Sequence, residues 1–190
     1  MIWCHNLLRV RGAAPALDEF ITRAKSSPQP PLAAQRPLLL AAFVPRPSLL
    51  DLHETSIGRD GYTAWFGDWR SLLTEPRLRS LKVCTQEALW RYLDWINPEY
   101  RRLAHRYAEN EASFGHRTWL TWNYCHFGVK WDLDEKTSVR RIAPSEVIYC
   151  FKTLECAPSP WLRTVQELFP DLLISMQAQA AHAPVRLRVV

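Results

Sequence analysis

The chain predicts an α+β fold: a ferredoxin-like β-α-β-β-α-β sandwich, with an antiparallel sheet carrying helices on one face and a helical insertion in the middle. Three observations carry this. A strand pattern followed by a helix pattern opens the chain, a strand-helix-strand run closes it, and residues 60–115 between them change to helical periodicity. On this reading the chain is a single domain, with 1–58 and 117–190 as the core and 60–115 as the insertion. A length of 190 residues suits one substantial core, and 47% apolar residues with nine tryptophans is too rich for a disordered chain.

Leu8-Arg9-Val10-Arg11 alternates apolar with polar and is closed by Gly12, so it reads as a half-buried strand with Leu8 and Val10 facing the core. A helix follows. Pro15 suits its first turn, Leu17, Phe20, Ile21 and Ala24 share a face, and Asp18 and Glu19 lie towards the positive end of its dipole. Residues 26–37 hold four prolines without periodicity and read as a loop. Leu38-Leu39-Leu40-Ala41-Ala42-Phe43-Val44 is short and apolar enough for a buried strand, stopped by Pro45 and Pro47, which cannot donate to a ladder.

Two or three helices are expected over 60–115. Thr85 caps one in which Ala88, Leu89, Tyr92, Leu93 and Ile96 line up, and Asn97-Pro98 starts another carrying Tyr100, Leu103 and Tyr107. After a tryptophan-rich stretch, residues 147–154 are dense in β-branched and aromatic side chains, as in a central strand. Ser159-Pro160 starts a helix whose buried face is Trp161, Leu162, Val165, Leu168 and Phe169, and Pro170 stops it. Strands are expected over 172–176 and again over 185–190, the latter with Arg186 and Arg188 outward.

No stretch approaches the roughly 18 apolar residues that span a bilayer, and the start lacks a signal-peptide pattern, so the expected location is the cytoplasm of a bacterial host, with no membrane partner. The five cysteines are odd in number and irregularly spaced, which suits thiols rather than a disulfide framework. A net charge of +5 permits an acidic partner without demanding one. Of the 24 basic residues 19 are arginine, a bias that a GC-rich genome produces by itself.

Trp3-Cys4-His5-Asn6-Leu7-Leu8-Arg9-Val10-Arg11-Gly12, then Phe127-Gly128-Val129-Lys130-Trp131-Asp132, then Cys156-Ala157-Pro158-Ser159-Pro160 leading to Leu168-Phe169-Pro170-Asp171-Leu172, resemble in this order the YubB-like ferredoxin-like family of plasmids and phages. The resemblance covers the two ends of the chain. It implies the fold and an origin on a mobile element; it implies no activity, since that family is one of unknown function whose genes in part lie among those that help plasmids and phages evade host defences.

Residues 117–132 place Arg117, Trp119, Trp122, Asn123, Lys130 and Trp131 close together, and with Arg140 and Arg141 they form the candidate partner-binding set. Flat apolar rings beside cations suit a protein hot spot or stacked bases. The competing reading is that the tryptophans fill the core where insertion meets sheet. Cys4-His5 and Cys125-His126 offer four metal-ligand types, but neighbours on a strand point to opposite faces, so no metal site is expected. Gly-x-Ser-x-Gly is absent, His53-Glu54 lacks a second histidine, and six glycines form no phosphate loop; neither catalytic residues nor a cofactor are expected.

The function expected is therefore that of a non-enzymatic binding protein of a phage or plasmid that inhibits a bacterial defence complex, a large protein or ribonucleoprotein, in the manner of an anti-CRISPR inhibitor. The alternative is a nucleic-acid-binding accessory protein that uses the open face of the sheet. For that, Tyr149 and Phe151 share one face of the central strand, edged by Arg9, Arg11, Arg186 and Arg188, although Val147 on the same face looks like core.

Overall fold

The computed structural model describes residues 2–25, 36–79, 83–133 and 136–180. They divide into two units, Met1–Arg46 with Asn123–Val190, and Pro47–Trp122. The insertion expected over 60–115 lies within the second unit, which extends beyond it at both ends.

The first unit is built on an antiparallel sheet of β1 (Trp3–Arg11), β2 (Ser138–Ala143), β3 (Glu146–Leu154) and β4 (Leu173–Ala180), in the spatial order β2-β3-β1-β4. Helix α1 (Ala14–Ala24) follows β1 and a second helix over Ser159–Leu168 precedes β4. The fold class is thus mixed α+β. Alternation along the strands sends Leu8, Val10, Val147, Tyr149, Phe151, Ile174 and Met176 to one buried face, where they meet Leu17, Phe20 and Ala24 of α1 and Trp161, Leu162 and Val165. Phe20 is the hub: its ring centroid lies 4.9 Å from Phe43, 5.3 Å from Phe169 and 6.1 Å from Tyr149.

Residues 38–44 do not form the expected strand. Leu38, Leu39, Leu40 and Phe43 are buried as a strand's would be, yet Leu40–Ala42 is a 3-10 turn. The reason is where its donors go. The Leu40 and Ala41 N–H groups are taken by the Asp132 carboxylate at 2.8 and 2.9 Å, and the Leu39 N–H by the Ala24 carbonyl at 3.0 Å, leaving no ladder to join. Burial alone does not separate a strand from a packed turn. The strand that does pair beside β3 is β2, whose residues 138–142 are exposed and so carry little apolar signal. A two-residue turn at Pro144-Ser145 joins β2 to β3, with a bulge between Arg141 and Ala143.

Two more expectations need correction. Tyr149 and Phe151 point to the helix side and are buried, so they present nothing to a ligand on the open face. Leu168 is exposed and Phe169 buried, because the chain leaves helical geometry at Phe169 and turns that ring inward. The strand expected over 185–190 lies outside the described residues.

Among its described residues the second unit holds α2 (Ser56–Phe66), α3 (Trp69–Leu72), α4 (Pro76–Arg79), α5 (Gln86–Ile96) and α6 (Glu99–Phe114). The side chains of Thr55, Asp68 and Thr85 cap α2, α3 and α5 by accepting N–H groups of their first turns. Helices α2 and α6 approach closely because Gly58 and Gly61 share a face. A Cβ at Gly61 would stand 2.2 Å from the Tyr100 carbonyl oxygen. Ala64, Leu72, Leu78, Leu89, Leu93 and Tyr100 form the core, beside a stacked Trp65–Trp90 pair at 5.7 Å. Helix α7 (Trp119–His126) holds the division between the units, and the helix over Ser159–Leu168 is α8. No helix among the described residues is long and apolar enough to cross a membrane.

Candidate functional site

The expected contact set separates into core and surface. Trp119 and Trp122 are 9% and 5% exposed and Asn123 is buried, so these three are packing residues. Asn123 ties two loops together, since its amide donates to the Lys130 carbonyl at 2.7 Å and its oxygen accepts from Arg46 at 3.0 Å. Arg117 is partly exposed but committed, both guanidinium bonds going to Glu111 at 3.0 and 3.1 Å while its plane stacks 3.6 Å from the Tyr62 ring. The Tyr62 hydroxyl also donates to Glu111, and these bonds, the tyrosine's first, hold the Glu111 carboxyl below its ordinary value. Arg141 is exposed and bound to Asp18 at 2.7 Å and to the Pro144 carbonyl at 2.7 Å. Trp131, 53% exposed with Lys130 5.0 Å over its ring, and exposed Arg140 remain on the surface.

The Gly128–Asp132 stretch works as a clip within the first unit. Gly128 adopts φ +81°, and a Cβ there would meet the Pro160 ring at 2.5 Å, so the loop lies directly against the start of α8. Four residues on, Asp132 holds the 3-10 turn, whose Leu40 carbonyl accepts the Trp161 indole N–H at 3.1 Å. The motif's aspartate and glycine thereby secure the floor of the core.

Among the described residues of the first unit, the feature left open is the sheet face opposite the helices. The register puts Ser138, Cys150, Leu7 and Gln177 in one row across the four strands. Arg140, Ile148, Arg9 and Ser175 make the next row on one side, Lys152, His5 and Gln179 the row on the other, and Arg11 and Glu146 lie opposite each other beyond. Arg9 and Arg11 both reach the Glu146 carboxylate, at 3.1 and 3.5 Å. At these strand positions four cations face one carboxylate. A hollow of about 400 Å³ occupies the middle of the face, lined by His5, Leu7, Ser138, Cys150, Lys152 and Gln179 among others.

Sequence reasoning set Arg9 and Arg11 at the edge of the face of Tyr149 and Phe151, which is the buried one, and missed His5, Ser138, Cys150, Lys152, Gln177 and Gln179 on the face where the two arginines lie. The alternation in β3 separates Ile148, Cys150 and Lys152 from Val147, Tyr149 and Phe151, but with Ile148 in the first set and Thr153 in the second the pattern alone does not say which face is covered. On β1 the same alternation buries Cys4 and exposes His5 on the opposite face. Burial pushes the Cys4 thiol up, away from reactivity. No disulfide joins the described cysteines.

No family model matches the chain, and none of the curated proteins matches it. Among solved structures it is similar to the crystal structure of a protein api92 from Yersinia pseudotuberculosis, of the family model DUF1281, at 12% identity over 98% of this chain and 92% of that one, with a TM-score of 0.46. A likeness at that level bears on neither family nor activity.

Proposed function

We propose that the chain is a non-enzymatic nucleic-acid-binding protein whose contact surface is the open face of a ferredoxin-like sheet. The strand order supports the ferredoxin-like reading: β3 sits between β1 and β2 and β1 between β3 and β4, so each β-α-β half is split by a strand of the other. The observation that carries the function is the charge of the face, where Arg9, Arg11, Arg140 and Lys152 stand against Glu146 alone, a net of three positive charges among glutamines and serines. Strands about 4.8 Å apart space these side chains closely enough to follow a phosphate backbone. Leu7 and Ile148 lie between the cations, Leu173 beside Arg11 is 66% exposed and Trp3 at the end of β1 is 44% exposed, so the face also offers apolar surface on which bases can rest beside the phosphates.

The test is an anisotropy titration with a labelled strand of about 16 nucleotides, the upper site size of a small β domain. Neutralising about three phosphates gives a slope near −2 in log affinity against log salt, so affinity falls about 20-fold between roughly 50 and 200 mM salt. Arg140→Glu and Lys152→Glu each flatten that slope. Absence of binding at low salt, or binding indifferent to salt, overturns the proposal.

A second reading, contact with a bacterial defence complex by a mobile-element protein of the host cytoplasm, is supported by the resemblance to the YubB-like family and by exposed indoles. Trp95 is 81% exposed beside Ile96, and Trp131 carries Lys130 over its ring, the residue types of a hot spot. Phage plating on a defended host expressing the chain tests it. Protection by the wild type that Trp95→Ala with Trp131→Ala abolishes supports this reading, and no protection by the wild type refutes it.

A further inference from the structure

We infer that the hollow in the open sheet face is a seat for one unstacked nucleobase, so that the nucleic acid taken by this face is single-stranded. The inference rests on the reading just proposed and deepens it. Side-chain size makes the hollow. Its floor is the row of Ser138, Cys150 and Leu7 at the centre of the sheet, while the long side chains of Lys152, Gln179, Gln177 and Lys136 stand around it. The space of about 400 Å³ lies in the range of roughly 300–1,000 Å³ usual for small-ligand clefts, larger than any gap that imperfect packing leaves.

The chemistry of floor and rim differs in the way a base demands. Leu7 and Cys150 offer a soft apolar surface for a ring face, whereas the Gln177 and Gln179 amides each present both donors and an acceptor, the complement of an unpaired Watson-Crick edge. Lys152 and Lys136 stand at the same hollow to take the flanking phosphates. In a duplex the Watson-Crick edges are spent on each other and the bases are stacked inside, so a double strand can use the cations but cannot fill the hollow. The cations alone would therefore bind either form, and the hollow is what selects between them.

Cys150 makes the seat observable. Its exposed thiol is on the floor, and Cys84 and Cys125, also exposed, lie on no strand of the sheet and serve as internal references. Three probes of equal length are compared on the full chain: a single strand, its blunt duplex, and a sugar-phosphate strand without bases. Each is titrated by anisotropy, and iodoacetamide labelling of each cysteine is followed by peptide mass. The intact single strand is expected to bind about tenfold tighter than either other probe, the scale of one base interaction, and to slow labelling of Cys150 but not of Cys84 or Cys125. Gln177→Ala with Gln179→Ala, at positions outside the core, should weaken the intact strand and leave the baseless strand unchanged. Equal affinity for all three probes, or unchanged labelling of Cys150 in a saturated complex, overturns the inference while leaving phosphate binding intact. Failure of every probe to bind at low salt refutes the nucleic-acid reading itself, and this inference with it.

Discussion

Asp132→Ala removes three hydrogen bonds in one step. The carboxylate takes the N–H groups of Leu40 at 2.8 Å, Ala41 at 2.9 Å and Leu133 at 2.6 Å, and the first two belong to the turn that carries buried Leu40 and leads into Phe43. Hydrogen bonds to a charged group contribute about 1.5–3 kcal/mol each, but three bonds on one carboxylate are not additive and water can reach part of the half-buried site. A loss of about 3 kcal/mol follows, a large part of the 5–15 kcal/mol that holds a typical domain. Asp132→Asn keeps one carbonyl oxygen and should lose about 1 kcal/mol. Trp131→Ala, next door but exposed, should stay within about 0.5 kcal/mol of wild type. Urea denaturation followed by far-UV circular dichroism ranks the three, and amide exchange at Leu40 and Ala41 locates the effect. An Asp132→Ala midpoint equal to that of wild type, or one no lower than that of Trp131→Ala, refutes the reasoning.

Tyr149→Phe should be neutral or stabilising by about 1 kcal/mol, because the buried hydroxyl has no hydrogen-bond partner among the described residues, and it should leave oligonucleotide binding untouched; a clear loss of thermal stability contradicts this. Gly61→Ala gains helix propensity of up to about 1 kcal/mol yet forces a methyl into the Tyr100 carbonyl, so a net loss of about 2 kcal/mol is expected by thermal unfolding, and a more stable variant would show that α2 and α6 part easily. Glu111→Gln tests the Tyr62-Glu111-Arg117 cluster. Its folded-state value is lowered, so its contribution is present above the ordinary carboxylate range near about pH 4.3 and is lost as pH falls through the lowered value. The stability gap between wild type and variant, under about 1 kcal/mol at neutral pH because the group is partly exposed, should close as the pH falls below the ordinary carboxylate range, and a gap that does not change with pH rules the cluster out as its source.

Local and periodic features were legible before any coordinates. Leu8 and Val10 alternate with arginines and face the core of β1; Thr85 and Asn97-Pro98 mark helix starts; Ser159-Pro160 opens α8. Each depends on a few consecutive residues, and the caps work through bonds that close within one turn. The helices of four residues, α3 and α4, fell below the length at which a period can be read.

The tertiary structure decided three things that composition and pattern left open. It chose which face of β3 is covered, since Val147, Tyr149 and Phe151 alternate with a set that also contains Ile148, and only the helices packed above settle which side is inside. It turned an apolar run into a 3-10 turn through Asp132, a carboxylate more than ninety residues away in the chain, and recruited exposed β2 as the sheet's edge. It also divided 117–132 into buried Trp119, Trp122 and Asn123 and exposed Trp131. The physical reason is common to all three: a tryptophan, a leucine run or an arginine has the same local chemistry wherever it lies, and whether it serves as core, turn or contact surface depends on which distant groups desolvate it or satisfy its backbone.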